Sequence, residues 1–204
     1  MGLNDRKNIL VTAFEPFGGE TVNPAGMILD RLPDMVGCHR IRKALLPVEF
    51  VRSQELALEM YDTFSPDAVV MLGQAGGRGA VTPETAAKNL MDARIPDNAG
   101  YQPKGLPIEK NGPAVLYATL PLETILGVLS ALGVPCRMSG DAGGFVCNCL
   151  FYRMLRHVNP EIPTGFIHVP FIREQGHTDQ PFMELGDEYR GIAAAIETVS
   201  RILR

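Results

Sequence analysis

The feature that most constrains the fold is a short apolar run passing directly into glycines, where DAVVML (67–72) continues as GQAGGRG. A run of four to eight aliphatic and β-branched residues bounded by turn residues reads as a strand buried on both faces. Where such a strand ends in a glycine-rich loop, open α/β sheets take their ligands. The beginning of the chain repeats the pattern: NILVTAF (8–14) reads as a second buried strand and ends in EPFGG.

After these runs the apolar spacing turns helical. Asn23-Pro24 reads as a cap with proline in the first turn, so a helix is expected from Pro24 to Leu32. Val51, Leu56, Met60 and Phe64 recur at near-helical spacing over 48–64, and Ser65-Pro66 ends that stretch. Further helices are expected over 121–132, 145–157 and 186–203, and further strands over 115–119 and 165–171. Residues 92–113, rich in proline and glycine, form an irregular excursion too long for a simple connector, of the kind that often carries function. No repeat and no linker interrupts the alternation. Residues 1–204 are therefore expected to form one α/β domain with a mostly parallel sheet.

Composition narrows the partners. A net charge of −4 with no basic run argues against nucleic-acid binding. No apolar segment approaches the roughly 18 to 20 residues of a membrane span. The Ile9–Phe14 run is too short for a signal-peptide core, and Arg6 stands where myristoylation of a Met1-Gly2 start would favour Ser or Thr. Cys38, Cys136, Cys147 and Cys149 do not form a spaced disulfide framework. A cytoplasmic protein with no membrane or nucleic-acid partner is the expectation.

Chemistry concentrates in SGDAGGFVCNCLFY (139–152). A helix beginning near Gly144 or Phe145 places Cys147 in its first turn, where unpaired N–H groups and the helix dipole favour a thiolate. The same N–H groups can hold an oxyanion beside the sulfur. Yet free cysteine is among the most buried residue types, and Cys147 shares a helical face with Leu150, Phe151 and Met154. Nucleophile and core filler both stand open at this level. Cys149 diverges from Cys147 by about 200° on a helix, so the two cannot share a metal there, and Cys149 keeps the packing role.

His168, in GFIHVPF (165–171), shares a strand face with Phe166. Its imidazole could exchange a proton with a thiol, or it could be a packed core residue. His39, His157 and His177 fall in stretches that read as loops or polar helix faces. Glu84 follows Thr82-Pro83, which reads as a cap and first turn, so it is either a helix-start carboxylate or the group that orients a histidine. Phe14 and Phe17 flank Pro16 and suggest a flat apolar pocket or packing beneath a loop. GQAGGR lacks both the Lys-Ser/Thr of a phosphate loop and the spacing of a dinucleotide fingerprint.

Taken together in order, VTAFEPFGG with Asn23-Pro24, GQAGGR, the stretch from Glu84 to DARIPDNAG (92–100), AGGFVCN (142–148) and GFIHVPF resemble the pyroglutamyl peptidase I (pyrrolidone-carboxylate peptidase) family of cysteine peptidases. The resemblance covers nearly the whole chain. It implies a three-layer α/β/α sandwich around a mostly parallel twisted sheet, commonly assembled as a homotetramer, with no metal or cofactor. It places the nucleophile on Cys147, the histidine on His168 and the acidic third member on Glu84. The pyroglutamyl pocket falls on Phe14, Phe17, Gln74, Phe145 and Val146, with Asn23 near the first loop. Arg94 matches a family arginine associated with the active site, and Gly76 and Gly77 of GQAGGR are the other groups expected to assist at the oxyanion. Thr85 and Lys88 depart from the family pattern, where Arg and an aliphatic residue are expected, and Cys149 and Arg173 are also unusual.

The implied reaction is release of pyroglutamate from peptide N-termini through a thioester. A pyroglutamyl end is a neutral lactam, which calls for apolar walls and a few amide-type hydrogen bonds rather than carboxylates or metals. A site that hydrogen-bonds the lactam should reject proline, which has the ring without the carbonyl. Two other readings compete: a phosphorylase-type enzyme binding phosphate or nucleoside in the glycine loops, and a non-catalytic protein that keeps the fold.

Overall fold

The computed structural model describes residues 6–203; the Met1-Gly2 start lies outside them. Elements follow in the order β1 (Asn8–Phe14), α1 (Pro24–Arg31), β2 (Met35–Val36), β3 (His39–Leu46), α2 (Arg52–Phe64), β4 (Ala68–Gln74), β5 (Thr82–Glu84), β6 (Ala86–Lys88) and β7 (Val115–Tyr117). Then come α3 (Leu122–Ala131), α4 (Val146–His157), β8 (Thr164–Val169), β9 (Phe171–Ile172), β10 (Phe182–Met183) and α5 (Leu185–Ile202).

The central sheet has the order β2-β3-β1-β4-β8-β5. Its inner four strands are parallel, and the short edge strands β2 and β5 run antiparallel. Alternation along the strands divides the core into two layers. Ile9, Val11, Val70, Leu72, Ile167 and Val169 pack against α1, α3 and α5 on one side. Leu10, Val69, Met71 and Phe166 face α2 and α4 on the other. The result is the α/β/α sandwich, with every residue of β4 buried as its apolar run requires. The carboxyl ends of β4 and β8 lie side by side, with Gly73 opposite His168.

Several expectations about local structure change. Thr82-Pro83 does not start a helix: Thr82 to Glu84 pair antiparallel with β8, Thr82 opposite His168 and Glu84 opposite Phe166. Proline is tolerated there because β5 is an edge strand. The run at 115–119 is a strand only over Val115–Tyr117, and it pairs with β6 outside the central sheet. The strand at 165–171 breaks after Val169, and Pro170 separates it from β9. The helix expected over 48–64 starts at Arg52. His39 opens a strand, β3, whose charges Arg40, Arg42 and Lys43 interrupt any apolar run.

Candidate active site

The catalytic candidates are set by two neighbouring elements. α4 begins at Val146 with Phe145 as its cap, so Cys147 does occupy the first turn, where N–H groups lack intrahelical acceptors. Asn148, fully buried, pins this turn to β6: its amide oxygen accepts from Lys88 N–H at 2.9 Å, and its nitrogen donates to the carbonyls of Lys88 and Leu90, each at 2.9 Å. Gly143, at φ +84°, gives the chain a left-handed turn just before the helix that a side chain would resist. The thiol then lies over β4. A Cβ on Gly73 would come within 3.0 Å of Cys147 Sγ and 2.8 Å of the Phe166 ring, so glycine there makes the room for the sulfur.

On β8, His168 is 3% exposed and its ring lies 4.7 Å from that of Phe166. Its Nδ1 is 2.7 Å from Glu84 Oε1, on the adjacent strand β5, and Glu84 is fully buried. This contact leaves Nε2 as the ring nitrogen for proton exchange. Arg78, the last residue of GQAGGR, donates from Nη1 to the same Glu84 oxygen at 2.6 Å and from Nη2 to the Asp141 carbonyl at 2.9 Å. Asp141 in turn accepts from Gly143 N–H at 3.0 Å and pairs with Lys88 at 2.8 Å. The loop preceding α4 is therefore tied to the glycine loop and to β6. Lys88, one of the departures from the family pattern, is part of that tie.

Electrostatics correct one expectation. Burial, then the nearby Glu84 charge, pushes the Cys147 thiol up to about 12, overriding the helix start, so the resting sulfur is a thiol rather than a thiolate. Burial also lowers the His168 pKa, more than its Glu84 contact raises it, so the imidazole is neutral. Burial acts to raise the Glu84 carboxyl, but the hydrogen bond and charge of His168, with Ser139 and Arg78, hold it below its ordinary value. Glu84 is the permanent anion of the group. Among the described residues no hydrogen bond joins Cys147 Sγ to His168.

Cys147 and His168 open onto one cleft of about 1100 Å³, which is also lined by Phe17, Gln74, Gly76, Gly77, Arg78, Arg94 and Phe145. Phe17 and Phe145 stand 5.8 Å apart centre to centre, and Phe145 meets Phe50 edge-on at 5.5 Å, forming one aromatic wall. Arg94 is exposed and makes no ion pair among the described residues. Three expected pocket residues lie outside the lining. Phe14 and Val146 are buried in the layer beneath. Asn23 caps α1 by accepting from Ala25 N–H and donates to the Glu15 carbonyl. Each is explained by local structure one layer away from the cleft.

Arg78, Asn148, Phe50 and Asp141 also build the site, although no motif in the sequence marks them for it. Only Arg78 had a signal, as the lone charge in a glycine loop at the end of a buried strand. No cluster of three or more potential metal ligands occurs among the described residues, nor a helix long and apolar enough to cross a membrane.

An anion-oriented histidine and a cysteine at a helix start, opening on one cleft at the strand ends of an α/β/α sandwich, define the class: a thiol-dependent hydrolase. Comparisons with known proteins carry this to the family. The pyroglutamyl peptidase family model matches residues 7–202. Pyrrolidone-carboxylate peptidase 1 of Caldanaerobacter subterraneus is 40% identical over 200 residues, spanning 96% of this chain and 98% of that protein. The pyrrolidone-carboxylate peptidase of Streptococcus pyogenes is 43% identical over 194 residues, spanning 92% and 90%. Among solved structures, Bacillus amyloliquefaciens pyroglutamyl peptidase I superposes with a TM-score of 0.91 at 39% identity, over 96% of this chain and 98% of that one. A mutant pyrrolidone carboxyl peptidase of Pyrococcus furiosus gives 0.92 at 34% identity, over 97% and 100%. The chain belongs to the pyroglutamyl peptidase family of cysteine-type hydrolases. The phosphorylase-type and non-catalytic readings find no support in these comparisons.

Proposed function

We propose that this cysteine omega-peptidase removes N-terminal pyroglutamyl residues from peptides through a thioester on Cys147. The observation that carries the reading is the buried Glu84–His168 contact of 2.7 Å beside a first-turn cysteine in the same cleft. Cys147 Sγ attacks the pyroglutamyl carbonyl carbon while its proton passes to His168 Nε2. The carbonyl oxygen, carrying the displaced electron pair, meets N–H groups at the start of α4. As the carbonyl re-forms, the C–N bond breaks and the leaving amine takes the proton from His168. Water then attacks the thioester, giving its proton to His168, and pyroglutamate and the thiol are released.

Glu84 orients the imidazole and stabilises the imidazolium that forms transiently. Because the resting pair is neutral, proton transfer accompanies attack instead of preceding it. The aromatic wall of Phe17 and Phe145 suits a flat neutral ring, with Gln74 available for its amide edge. Phe14, Val146 and Asn23 then support this pocket from beneath. Arg94, Gly76 and Gly77 would assist near the oxyanion or along the leaving peptide.

We further propose one domain, a cytoplasmic location and a homotetramer, in line with the family resemblance and the absence of any disulfide among the described cysteines. A pyroglutamyl-amide reporter and its prolyl counterpart test the function, before and after iodoacetamide. Cleavage of the first alone, abolished by alkylation, is expected; inertness toward it under reducing conditions would overturn the reading. Size-exclusion chromatography with light scattering tests the assembly.

A further inference from the structure

The segment following β9 approaches the cleft with a chain of hydrogen bonds whose polarity is fixed at one end. Ile172 N–H, which can only donate, lies 3.0 Å from Gln175 Oε1. That contact sets the Gln175 amide so that its Nε2 faces the other way. Nε2 donates to Glu20 Oε2 at 2.9 Å and to Gln74 Oε1 at 2.9 Å, with the Val22 carbonyl at the long distance of 3.5 Å. Glu20 is held from its other oxygen by His177 Nε2 at 2.7 Å, and the His177 ring stacks on Phe171 at 4.0 Å.

The consequence falls on Gln74, which is 7% exposed and lines the cleft. Its oxygen is occupied by Gln175, so its Nε2, which has no partner among the described residues, is the amide group left for a ligand. An unconstrained glutamine could present either end. Here the backbone donor of Ile172 and the carboxylate of Glu20 decide.

We propose that Gln175 is a positioning residue that determines specificity, by holding the Gln74 amide with its NH₂ toward the cleft so that the site takes a ligand carbonyl acceptor. This deepens the pyroglutamyl reading and rests on it for the identity of the acceptor as the lactam oxygen. A prolyl ring offers nothing to this cleft-facing donor, and a site that leaves a donor unpaired when the ligand is bound rejects such an analogue strongly.

The test reads lactam recognition with and without turnover. Cys147 alkylation by iodoacetamide is followed by mass spectrometry in the presence of pyrrolidin-2-one or pyrrolidine-2-thione, whose sulfur is the weaker acceptor. The KM and kcat of the pyroglutamyl reporter are measured alongside. Both are compared in the parent protein, in Gln175→Met, which removes the donor, and in Gln175→Glu, which replaces it with an acceptor. In the parent the lactam should protect at lower concentration than the thiolactam.

In either variant the lactam concentration for half-protection and the reporter KM should rise about tenfold, roughly the loss of one hydrogen bond, with kcat changed by less than about threefold. The lactam-over-thiolactam preference should largely vanish. The unprotected alkylation rate should stay at the parent value, which distinguishes a reoriented amide from a collapsed site.

Variants that keep both the preference and a KM within about twofold of the parent would overturn the proposal, as would a parent with no preference. If one variant fails to fold, seen as rapid alkylation of all four cysteines, the other decides. A parent that is protected by the lactam but does not cleave the reporter would sink the hydrolytic reading while leaving the relay in place.

Discussion

Cys147 and Cys149 are two residues apart on α4, and burial pushes both thiols up to about 12. On resting acidity they are indistinguishable. Their surroundings are not. Cys147 lies over Gly73 at the floor of a cleft shared with His168. Cys149, fully buried, faces α2, where Gln54 Nε2 lies 3.0 Å from its sulfur and a smaller cavity of about 440 Å³ is bounded by Phe50, Leu58 and Arg153. The difference teaches that reactivity here comes from access and from a base held ready, rather than from a preformed thiolate.

Replacing each cysteine should give the widest separation. Cys147→Ala should lower kcat by at least about 10⁴-fold, whereas Cys149→Ala should leave kcat within about threefold and lower stability by about 1–2 kcal/mol through the lost packing. Steady-state kinetics and urea unfolding check both, and a large kcat loss in Cys149→Ala would erase the contrast. Next in size is the base. Glu84→Gln keeps the shape but loses the charge and the fixed tautomer, and should cost about 10²–10⁴-fold in kcat at pH 7. Activity near the parent level would show that His168 needs no anion behind it.

Arg78 sharpens the comparison through acidity. Its charge lowers both the His168 and the Cys147 pKa, although burial is the larger influence on each. Removing the charge in Arg78→Met raises both. The acid limb of the kcat/KM profile should then move to higher pH, with activity on the acid side falling relative to the parent. An unmoved limb would mean that the Arg78–Glu84 contact is only structural.

The smallest effect on catalysis lies farthest from the site. Glu188 is fully buried on α5, neither of its oxygens has a partner among the described residues, and burial, then Glu174, pushes it up to about 9. A folded pKa above the unfolded one means that its contribution to stability is complete below the unfolded value of about 4.5 and is lost as pH rises through about 9. Glu188→Gln should flatten this decline and raise stability at pH 8 by roughly 1–3 kcal/mol, leaving kcat within about twofold. Denaturant titrations at several pH values check it, and a parallel decline in the variant would contradict it.

The apolar runs of β1, β4 and β8 were legible because central parallel strands must be apolar on both faces. β3 was not, since Arg40, Arg42 and Lys43 break its apolar run on both faces. β5 was misread because Thr-Pro serves a helix start and an edge strand equally well, and only pairing with β8 distinguishes them. At the site, the first-turn position of Cys147 was legible from the glycines before its helix, and the cleft roles of Phe17, Gln74 and Phe145 came only with the family resemblance. The neutral state of Cys147 did not follow: helix position is local, but desolvation depends on the whole layer above the sheet. Gln175 was invisible for a related reason, and Arg78 showed only as a lone charge in the glycine loop, since each acts on a residue brought to it only by the fold.

The pH dependence of Cys147 alkylation in the free protein, with Cys38, Cys136 and Cys149 replaced by serine or alanine, tests the central claim most directly. A neutral thiol beside a neutral imidazole predicts slow alkylation that climbs steadily into the alkaline range. A plateau of fast alkylation between about pH 5 and 7, the mark of a preformed thiolate–imidazolium pair, would contradict it.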